Sequence, residues 1–229
     1  TKGDVKGIAI SAVKSESATF QVLPFVWQTG GDLNDYATSG ATALAYLRGL
    51  IDDGSMSEAV TNYTQEDART QFITGKSAMM INGPWELATL TKDAQFDWDV
   101  APLPKDKRAA TSMGGENVVV MNGAKQSDAA VKLAKYLTSA EGAKIYCDGS
   151  GQLSSRPDLK GKLKLSEDAK NKVFESQLAD AHARAYGKDY PKISEAIQLS
   201  MQEALTGAST PEAAAKKAAD TITPLLPKN

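Results

Sequence analysis

Apolar residues along this sequence follow two patterns, short β-branched runs and longer stretches with helical spacing. The run Gly7-Ile8-Ala9-Ile10 is typical of a strand, whereas residues 17–29 place apolar side chains three and four positions apart, which predicts a helix. The expected strands cover residues 7–10, 78–81, 98–101 and 118–121, and the expected helices cover residues 17–29, 40–51, 64–72, 84–92, 127–138, 139–146, 167–182 and 191–206, with a last helix from residue 210. The pattern predicts an α/β fold that ends in a cluster of helices.

Polar residues mark where two of these helices begin. Thr64 and Asp67 have the spacing of a capping box, in which each side chain accepts a hydrogen bond from the other residue's backbone N–H. Thr210-Pro211-Glu212 offers an N-cap oxygen, a proline suited to the first helical position and a carboxylate near the positive helix end. Gly149-Ser150-Gly151 is expected to form a flexible joint between helices.

The balance of charges argues against several classes of partner. The 229 residues include 26 basic and 28 acidic side chains, for a net charge of -2, so neither nucleic acid nor an anionic membrane is indicated. One cysteine, Cys147, and one histidine, His182, make neither an internal disulfide nor a zinc site. We therefore expect no metal and no cofactor, and a small neutral or polar partner fits best.

The start of the chain bears on its location. No apolar run approaches the ~20 residues that cross a bilayer, and no charged and then apolar leader precedes Thr1. Because the chain also lacks an initiator methionine, we expect a processed or trimmed piece whose targeting signal lay upstream.

The catalytic motifs that the sequence suggests each lack a required residue. Gly75-Lys76-Ser77 resembles the end of a phosphate-binding loop, but Thr70 stands where that loop needs glycine. His182 has no nucleophile motif nearby, which favours an exposed or capping role over catalysis. The chain is therefore expected not to be an enzyme. A glycan-cleaving pair of carboxylates remains an alternative, since sequence spacing does not give the separation across a cleft.

Aromatic residues fall beside glycines at the ends of predicted elements. Phe20 and Trp27 precede Gly30-Gly31, and Trp85 follows the predicted strand at 78–81. In α/β sheets ligands bind at the carboxyl ends of strands, where an indole can stack on the apolar face of a sugar ring. For Phe20 and Trp27, ligand contact and burial in the core are equally compatible with the pattern. Trp85, presented by a Gly-Pro turn, favours ligand contact.

Several motifs, in this order, resemble family 1 extracellular solute-binding proteins, the group that includes maltose-binding protein. The most characteristic is Phe72-Ile73-Thr74-Gly75-Lys76-Ser77-Ala78-Met79-Met80-Ile81-Asn82-Gly83-Pro84-Trp85. Others are Gly30-Gly31-Asp32, Leu50-Ile51-Asp52-Asp53-Gly54, Trp98-Asp99-Val100-Ala101-Pro102-Leu103-Pro104, Gly114-Gly115, Tyr136-Leu137-Thr138-Ser139-Ala140-Glu141-Gly142, Tyr190-Pro191 and Pro211-Glu212-Ala213-Ala214. The resemblance covers almost the whole chain.

The resemblance implies the type II periplasmic-binding-protein fold, in which two α/β lobes joined by crossovers close over a sugar. It implies that residues 1–115 and 156–229 build the C-terminal lobe. The segment 116–155 would normally complete the N-terminal lobe, whose opening part is missing here.

The same resemblance implies a ligand-binding set. Trp85 matches the family's sugar-stacking tryptophan, and Phe20 falls where members often place an aromatic at the sugar. Gly115, Glu116 and Asn117 match the crossover that borders the cleft. Arg156 is a weaker match, because Ser154-Ser155 replaces the proline that relatives often carry before the arginine. With Trp27, these residues are the expected ligand contacts.

The function implied is capture of a mono- or oligosaccharide for a membrane permease of an ABC importer. The location implied is extracellular, either in a periplasm or as a lipid-anchored protein at the cell surface. Two alternatives stay open, a glycan-processing enzyme lobe and a scaffold or adhesion module. Because segment 116–155 would lack its partner surface, we also expect a dimer through it.

Overall fold

Residues 3–227 are described by a computed structural model, in which the chain divides into two compact units. Unit 1 contains the chain up to Asn82, Leu103–Met113, and the chain from Asp180 onward; unit 2 contains Gly83–Pro102 and Gly114–Ala179. This division differs from the expected lobes, because unit 2 is larger than the segment 116–155. The lobe boundaries that the resemblance implies stay a prediction.

The described residues form nine α-helices and four short β-strands. The helices are α1 (Glu16–Gln28), α2 (Tyr36–Asp52), α3 (Gln65–Ile73), α4 (Leu87–Asp93), α5 (Ser127–Leu137), α6 (Ala140–Ser150), α7 (Ala169–Gln177), α8 (Tyr190–Leu205) and α9 (Pro211–Ile222). The strands are β1 (Lys6–Ala9), β2 (Ser77–Met80), β3 (Thr111–Met113) and β4 (Ala181–Ala183).

Both strand pairs are parallel and both belong to unit 1. β1 pairs with β2, placing Ile8 opposite Met79, and β3 pairs with β4, placing Ser112 opposite His182. Parallel strands need long connections, and here the second pair joins residues about 70 positions apart in sequence. Two distant stretches of chain are thereby fixed side by side.

The core of unit 1 is helical. Helix α2 packs against α9 and α8, and α8 packs against α1 and α9. The apolar stripes predicted from the sequence face inward: Leu44 and Leu47 on α2 and Ile193, Ile197 and Met201 on α8 are almost completely buried. Burial of these stripes is the main source of stability for this unit, since the strands are too short to supply it.

Local sequence explains how two of these elements begin. The capping box of α3 is confirmed: Thr64 Oγ1 accepts from the Asp67 N–H at 3.2 Å, and Asp67 accepts from the Thr64 N–H at 2.9 Å. The hydrogen bonds that the Asp67 carboxylate accepts from the Thr64 N–H and hydroxyl hold the pKa of Asp67 below its usual value. The N-cap of α9 is also confirmed, with Thr210 Oγ1 accepting from the Ala213 N–H at 3.3 Å.

One glycine is required by close packing inside α2. A Cβ at Gly40 would lie 2.8 Å from the ring of Tyr36, one turn earlier. The ring therefore lies directly over the helix backbone, where its hydroxyl forms a 2.9 Å hydrogen bond with Ser200 of α8. Burial raises the pKa of Tyr36 to about 12, so this phenol stays protonated and links the two helices.

Unit 2 has a much smaller core. Its buried apolar cluster consists of Cys147, Leu159 and Leu163, with Ala143 packed against it. Helix α5 is strongly amphipathic, yet none of its residues is buried. Burial raises the pKa of the Cys147 thiol, which is typical of an unreactive structural cysteine.

The structure corrects four sequence-based expectations. Residues 98–101 and 118–121 are not strands, and the expected helix 167–182 ends at Gln177, after which a 3-10 turn leads into β4. Gly149 and Ser150 belong to α6, and Gly151 ends that helix with φ of 73°. A run of four mostly apolar residues is too short for its periodicity to distinguish a strand from an extended loop, which is why strands were wrongly predicted at 98–101 and 118–121.

None of the helices formed by residues 3–227 combines the length and apolar character needed to cross a bilayer.

The packing of α8 gives a matched test of core energetics. Ile197 is fully buried, whereas Leu199, two residues later, is 38% exposed. Replacing Ile197 with alanine should lower the free energy of unfolding by about 2–5 kcal/mol, because it leaves a cavity, whereas Leu199→Ala should cost less than about 1 kcal/mol. Urea denaturation of both variants measures the difference. Equal losses would show that α8 does not pack through the predicted stripe.

Candidate functional site

Trp85 is presented by a tight turn of unit 2. The residue lies in the 3-10 helix Pro84–Glu86, and its side chain is half-buried. Gly83 has no side chain to obstruct the indole: a Cβ there would lie 2.1 Å from the ring. The six-membered part of the indole is therefore folded back over the backbone of its own turn, and only glycine at position 83 permits this arrangement.

The turn that carries Trp85 is supported by the end of α6. Gly151 adopts the left-handed conformation there, and a Cβ at this position would lie 3.2 Å from the Pro84 carbonyl oxygen. Glycine is thus favoured twice, by its positive φ and by close approach of the backbone. The segment expected to be a flexible joint is instead a helix cap against which the Trp85 turn lies.

Gly115, Glu116 and Asn117 lie in a stretch of unit 2 without regular secondary structure. All three residues are exposed. Their backbone and side-chain polar groups are accessible to a ligand, in keeping with the expected role as hydrogen-bonding groups beside the cleft. That role stays a prediction.

Arg156 has structural partners within unit 2. Its guanidinium forms a two-pronged ion pair with Asp158, with both N···O distances 3.0 Å, and donates to the Thr138 carbonyl oxygen at 2.9 Å. The same pairing lowers the pKa of Asp158. These contacts cap the end of α5 and use three of the five guanidinium N–H donors, so Arg156 has a structural role in unit 2. Its expected ligand contact stays a prediction.

Trp27 lies in the core of unit 1. Its side chain is fully buried, its Nε1 donates to Asp32 at 3.1 Å and to the Tyr186 hydroxyl at 3.0 Å, and its ring stacks on His182 with centroids 4.8 Å apart. Of the two interpretations of Trp27, the structure favours the core over ligand contact. Burial and donation to Asp32 raise the pKa of Tyr186 well above its ordinary value.

His182 also differs from the sequence-based expectation. It lies in β4 and is half-buried against Trp27, whereas an exposed or helix-capping position was expected. The cause is the missed strand, because β4 turns the imidazole toward α1.

Phe20 is a half-buried aromatic of α1, and it is contacted by β3 and by Arg184, the residue that follows β4. Ser112 Oγ donates to the Phe20 carbonyl oxygen at 2.8 Å, and the Arg184 guanidinium lies over the ring, 4.6 Å from its centroid. The ring therefore lies beside the carboxyl ends of a parallel strand pair, the position at which α/β folds bind ligands.

A polar network that sequence reasoning missed surrounds this ring. Glu16, in the first turn of α1, accepts from Arg184 Nε at 2.9 Å, from Ser194 Oγ at 2.5 Å and from the Tyr190 hydroxyl. Burial, together with donation to Glu16, raises the pKa of Tyr190 to about 12, so the phenol remains a donor at neutral pH. The only sequence signal was Tyr190-Pro191, which contributed to the family resemblance but was not assigned to a site.

These residues are suited to binding a ring that has an apolar face and polar groups at its edge. Among the expected ligand contacts, Phe20 in unit 1 and Trp85 in unit 2 are half-buried aromatic rings near polar groups. Among residues 3–227, no group of three or more histidine, cysteine, aspartate or glutamate side chains could hold a metal ion. The chemistry offered is stacking on an apolar ring face with hydrogen bonds around it.

Comparison with solved structures identifies the fold. An ABC transporter solute-binding protein of Thermotoga lettingae, solved with α-D-tagatose, superimposes with a TM-score of 0.86 at 30% identity, over 98% of this chain and 60% of that one. Maltose-bound MalE3 of Thermotoga maritima gives a TM-score of 0.83 at 27% identity, over 97% and 61% of the two chains. The expected type II periplasmic-binding-protein fold is thereby confirmed.

Sequence comparison agrees with the structural one. A maltooligosaccharide ABC transporter solute-binding lipoprotein of Streptococcus pneumoniae is 32% identical over 95 residues, which is 40% of this chain and 22% of that protein. The chain spans about half the length of the curated relatives that match most of it. The family model described as bacterial extracellular solute-binding protein matches residues 2–173, three quarters of the sequence. With a fold and a sequence that agree over most of its length, this chain belongs to the bacterial extracellular solute-binding proteins, a family of binding proteins.

Proposed function

We propose that this chain is part of the substrate-binding component of an ABC importer, which binds a sugar or oligosaccharide and delivers it to a membrane permease. The observation that carries the proposal is the likeness of 98% of the chain to an ABC transporter solute-binding protein solved with a sugar. The half-buried rings of Trp85 and Phe20 support it, because rings held by turns and helix packing are suited to stacking on pyranose faces. The site residues act by binding alone.

In this proposal Trp85 supplies the main stacking surface and Phe20 a second one. Glu116 and Asn117, with the backbone at Gly115, supply hydrogen bonds to sugar hydroxyls. Arg156 and Trp27 contribute indirectly, the first by capping α5 and the second by packing within the core of unit 1. The sugar would bind between two lobes, and closure would be a ligand-shifted population of conformers.

The proposed location is outside the cytoplasm, in a periplasm or at a lipid-anchored cell surface. Support comes from the family description, which names extracellular proteins, and from the relative named as a lipoprotein. The partner in either place would be the permease of the importer.

Intrinsic fluorescence tests the proposed role of Trp85. A titration of the protein with a panel of mono- and oligosaccharides should give a saturable change for at least one sugar. Trp85→Ala should weaken that affinity at least tenfold, which corresponds to about 1.4 kcal/mol, because the stacked indole is lost. Trp98→Phe is the matched control, since Trp98 is also a half-buried tryptophan of unit 2 but lies beneath Lys170. It should leave the affinity unchanged.

Three outcomes would contradict parts of this proposal. Unchanged affinity in Trp85→Ala would remove the stacking role. The absence of a fluorescence change with every sugar would indicate that the protein binds a different solute or acts as a scaffold. Chromatographic detection of cleaved oligosaccharide after incubation would instead establish the glycan-processing alternative.

Unit 2 supports a second proposal, self-association through the segment 116–155. Val119 and Met121 are 70% and 74% exposed, and Leu133 on α5 is 57% exposed. Tyr136 and Ile145 of the same segment are exposed as well, and exposed large apolar side chains in this number are typical of an interaction site.

Light scattering over a wide concentration range tests this proposal. The mass of the purified 229-residue chain should rise toward that of a dimer with increasing concentration, and Val119→Lys combined with Leu133→Lys should keep it monomeric. Leu199→Lys, which changes one partly exposed leucine of unit 1, should leave the association unaltered. A monomeric mass at every concentration would rule out the dimer.

A further inference from the structure

Arg184 lies outside regular secondary structure, yet its guanidinium is hydrogen-bonded to several other segments of unit 1. It directly follows β4, and only 15% of its side chain is exposed. Its Nε contacts Glu16 at 2.9 Å and the Tyr190 hydroxyl at 3.0 Å, and its Nη1 donates to the Met113 carbonyl oxygen at 3.1 Å. The planar guanidinium is therefore fixed in two directions by groups from three segments.

The partner carboxylate is fixed as well. Besides Arg184, Glu16 accepts from the hydroxyls of Tyr190 and Ser194, and Ser194 is itself hydrogen-bonded to Thr19 at 2.8 Å and to Gln198 at 2.9 Å. Arg184 cannot turn without breaking charge-assisted hydrogen bonds, which are the stronger kind in proteins. The network also balances its charge, because one guanidinium faces one carboxylate.

The guanidinium of Arg184 contacts the ring of Phe20. The guanidinium lies over the ring at 4.6 Å, within the range in which a cation is attracted to an aromatic face. Ser112 fixes the backbone of the same residue from β3. One face of the ring is thus covered by Arg184, whose own position is set by its hydrogen bonds to Glu16, Tyr190 and the Met113 carbonyl oxygen.

We infer that Arg184 is a positioning residue for ligand binding: it orients the Phe20 ring as a stacking platform for the apolar face of an uncharged sugar ring. The inference rests on the proposed function. An ordered ring loses less conformational freedom when a ligand binds than a mobile one does, so preorganisation raises affinity without a direct contact. Because Glu16 balances the charge of Arg184, the platform gives no net attraction for an acidic solute.

Fluorine NMR tests the positioning without a ligand. The chain has five phenylalanines, so labelling with 4-fluorophenylalanine gives few signals, and Phe20→Leu identifies the one from Phe20. Arg184→Met should shift and broaden that signal. Arg184→Lys, which keeps a cation over the ring but loses the fork, should give an intermediate change and also serves if the methionine variant folds poorly.

Arg48 provides the matched control. It is also a partly buried arginine of unit 1, pairing with Asp52 at 2.7 Å and donating to the Leu205 carbonyl oxygen at 2.8 Å. Arg48→Met should reduce stability by a comparable mechanism and leave the Phe20 signal in place. A Phe20 signal that is unchanged in Arg184→Met, or equally changed in Arg48→Met, would overturn the inference.

A double-mutant cycle on sugar affinity tests the consequence for binding. Arg184→Met should weaken binding roughly five- to tenfold when Phe20 is present and less than about twofold in the Phe20→Leu background, because its effect passes through the ring. Equal losses in both backgrounds, or no loss in either, would overturn the inference. If no sugar binds while the Phe20 signal still depends on Arg184, the proposed function fails and the positioning of the ring stands.

Discussion

Burial of the apolar stripes of α1, α2, α8 and α9 is the constraint on which the rest of unit 1 depends. Two of these helices lie early in the sequence and two lie at its end, so the core forms only when distant parts of the chain meet. Strands of three or four residues contribute little by themselves. The helical core therefore holds β3 beside β4 and, with them, the residues around Phe20.

Unit 2 is not built around a comparable helical core. Its buried apolar cluster is small, α5 buries none of its residues, and several apolar side chains from Val118 to Tyr146 are exposed. A strongly amphipathic helix normally forms because it buries its apolar face against something. The sequence of α5 is thus better suited to an interface than to an isolated surface.

Sequence patterns predicted the helices better than the strands. Most helices were expected close to their observed positions, because periodicity extends over many residues and the caps at Thr64 and Thr210 are local. β3 and β4 were missed because three residues carry no usable period. The short apolar runs at 98–101 and 118–121 were wrongly taken as strands for the same reason. In each case the deciding information lay in tertiary contacts.

The rings of Trp85 and Phe20 differ in how far their orientations can be predicted from the sequence. Gly83, two residues before Trp85, permits the orientation of the indole because it has no side chain in that space. The family motif contains both residues. The orientation of Phe20 is set by Arg184, 164 positions later, which is held in turn by Glu16 and by the Met113 carbonyl oxygen. A residue that orients a near neighbour in sequence can be recognised within a motif. The contact between Arg184 and Phe20 forms only when the helical core brings these distant residues together. The orientation of Trp85 can therefore be anticipated from the family motif, whereas the orientation of Phe20 cannot be anticipated from the sequence.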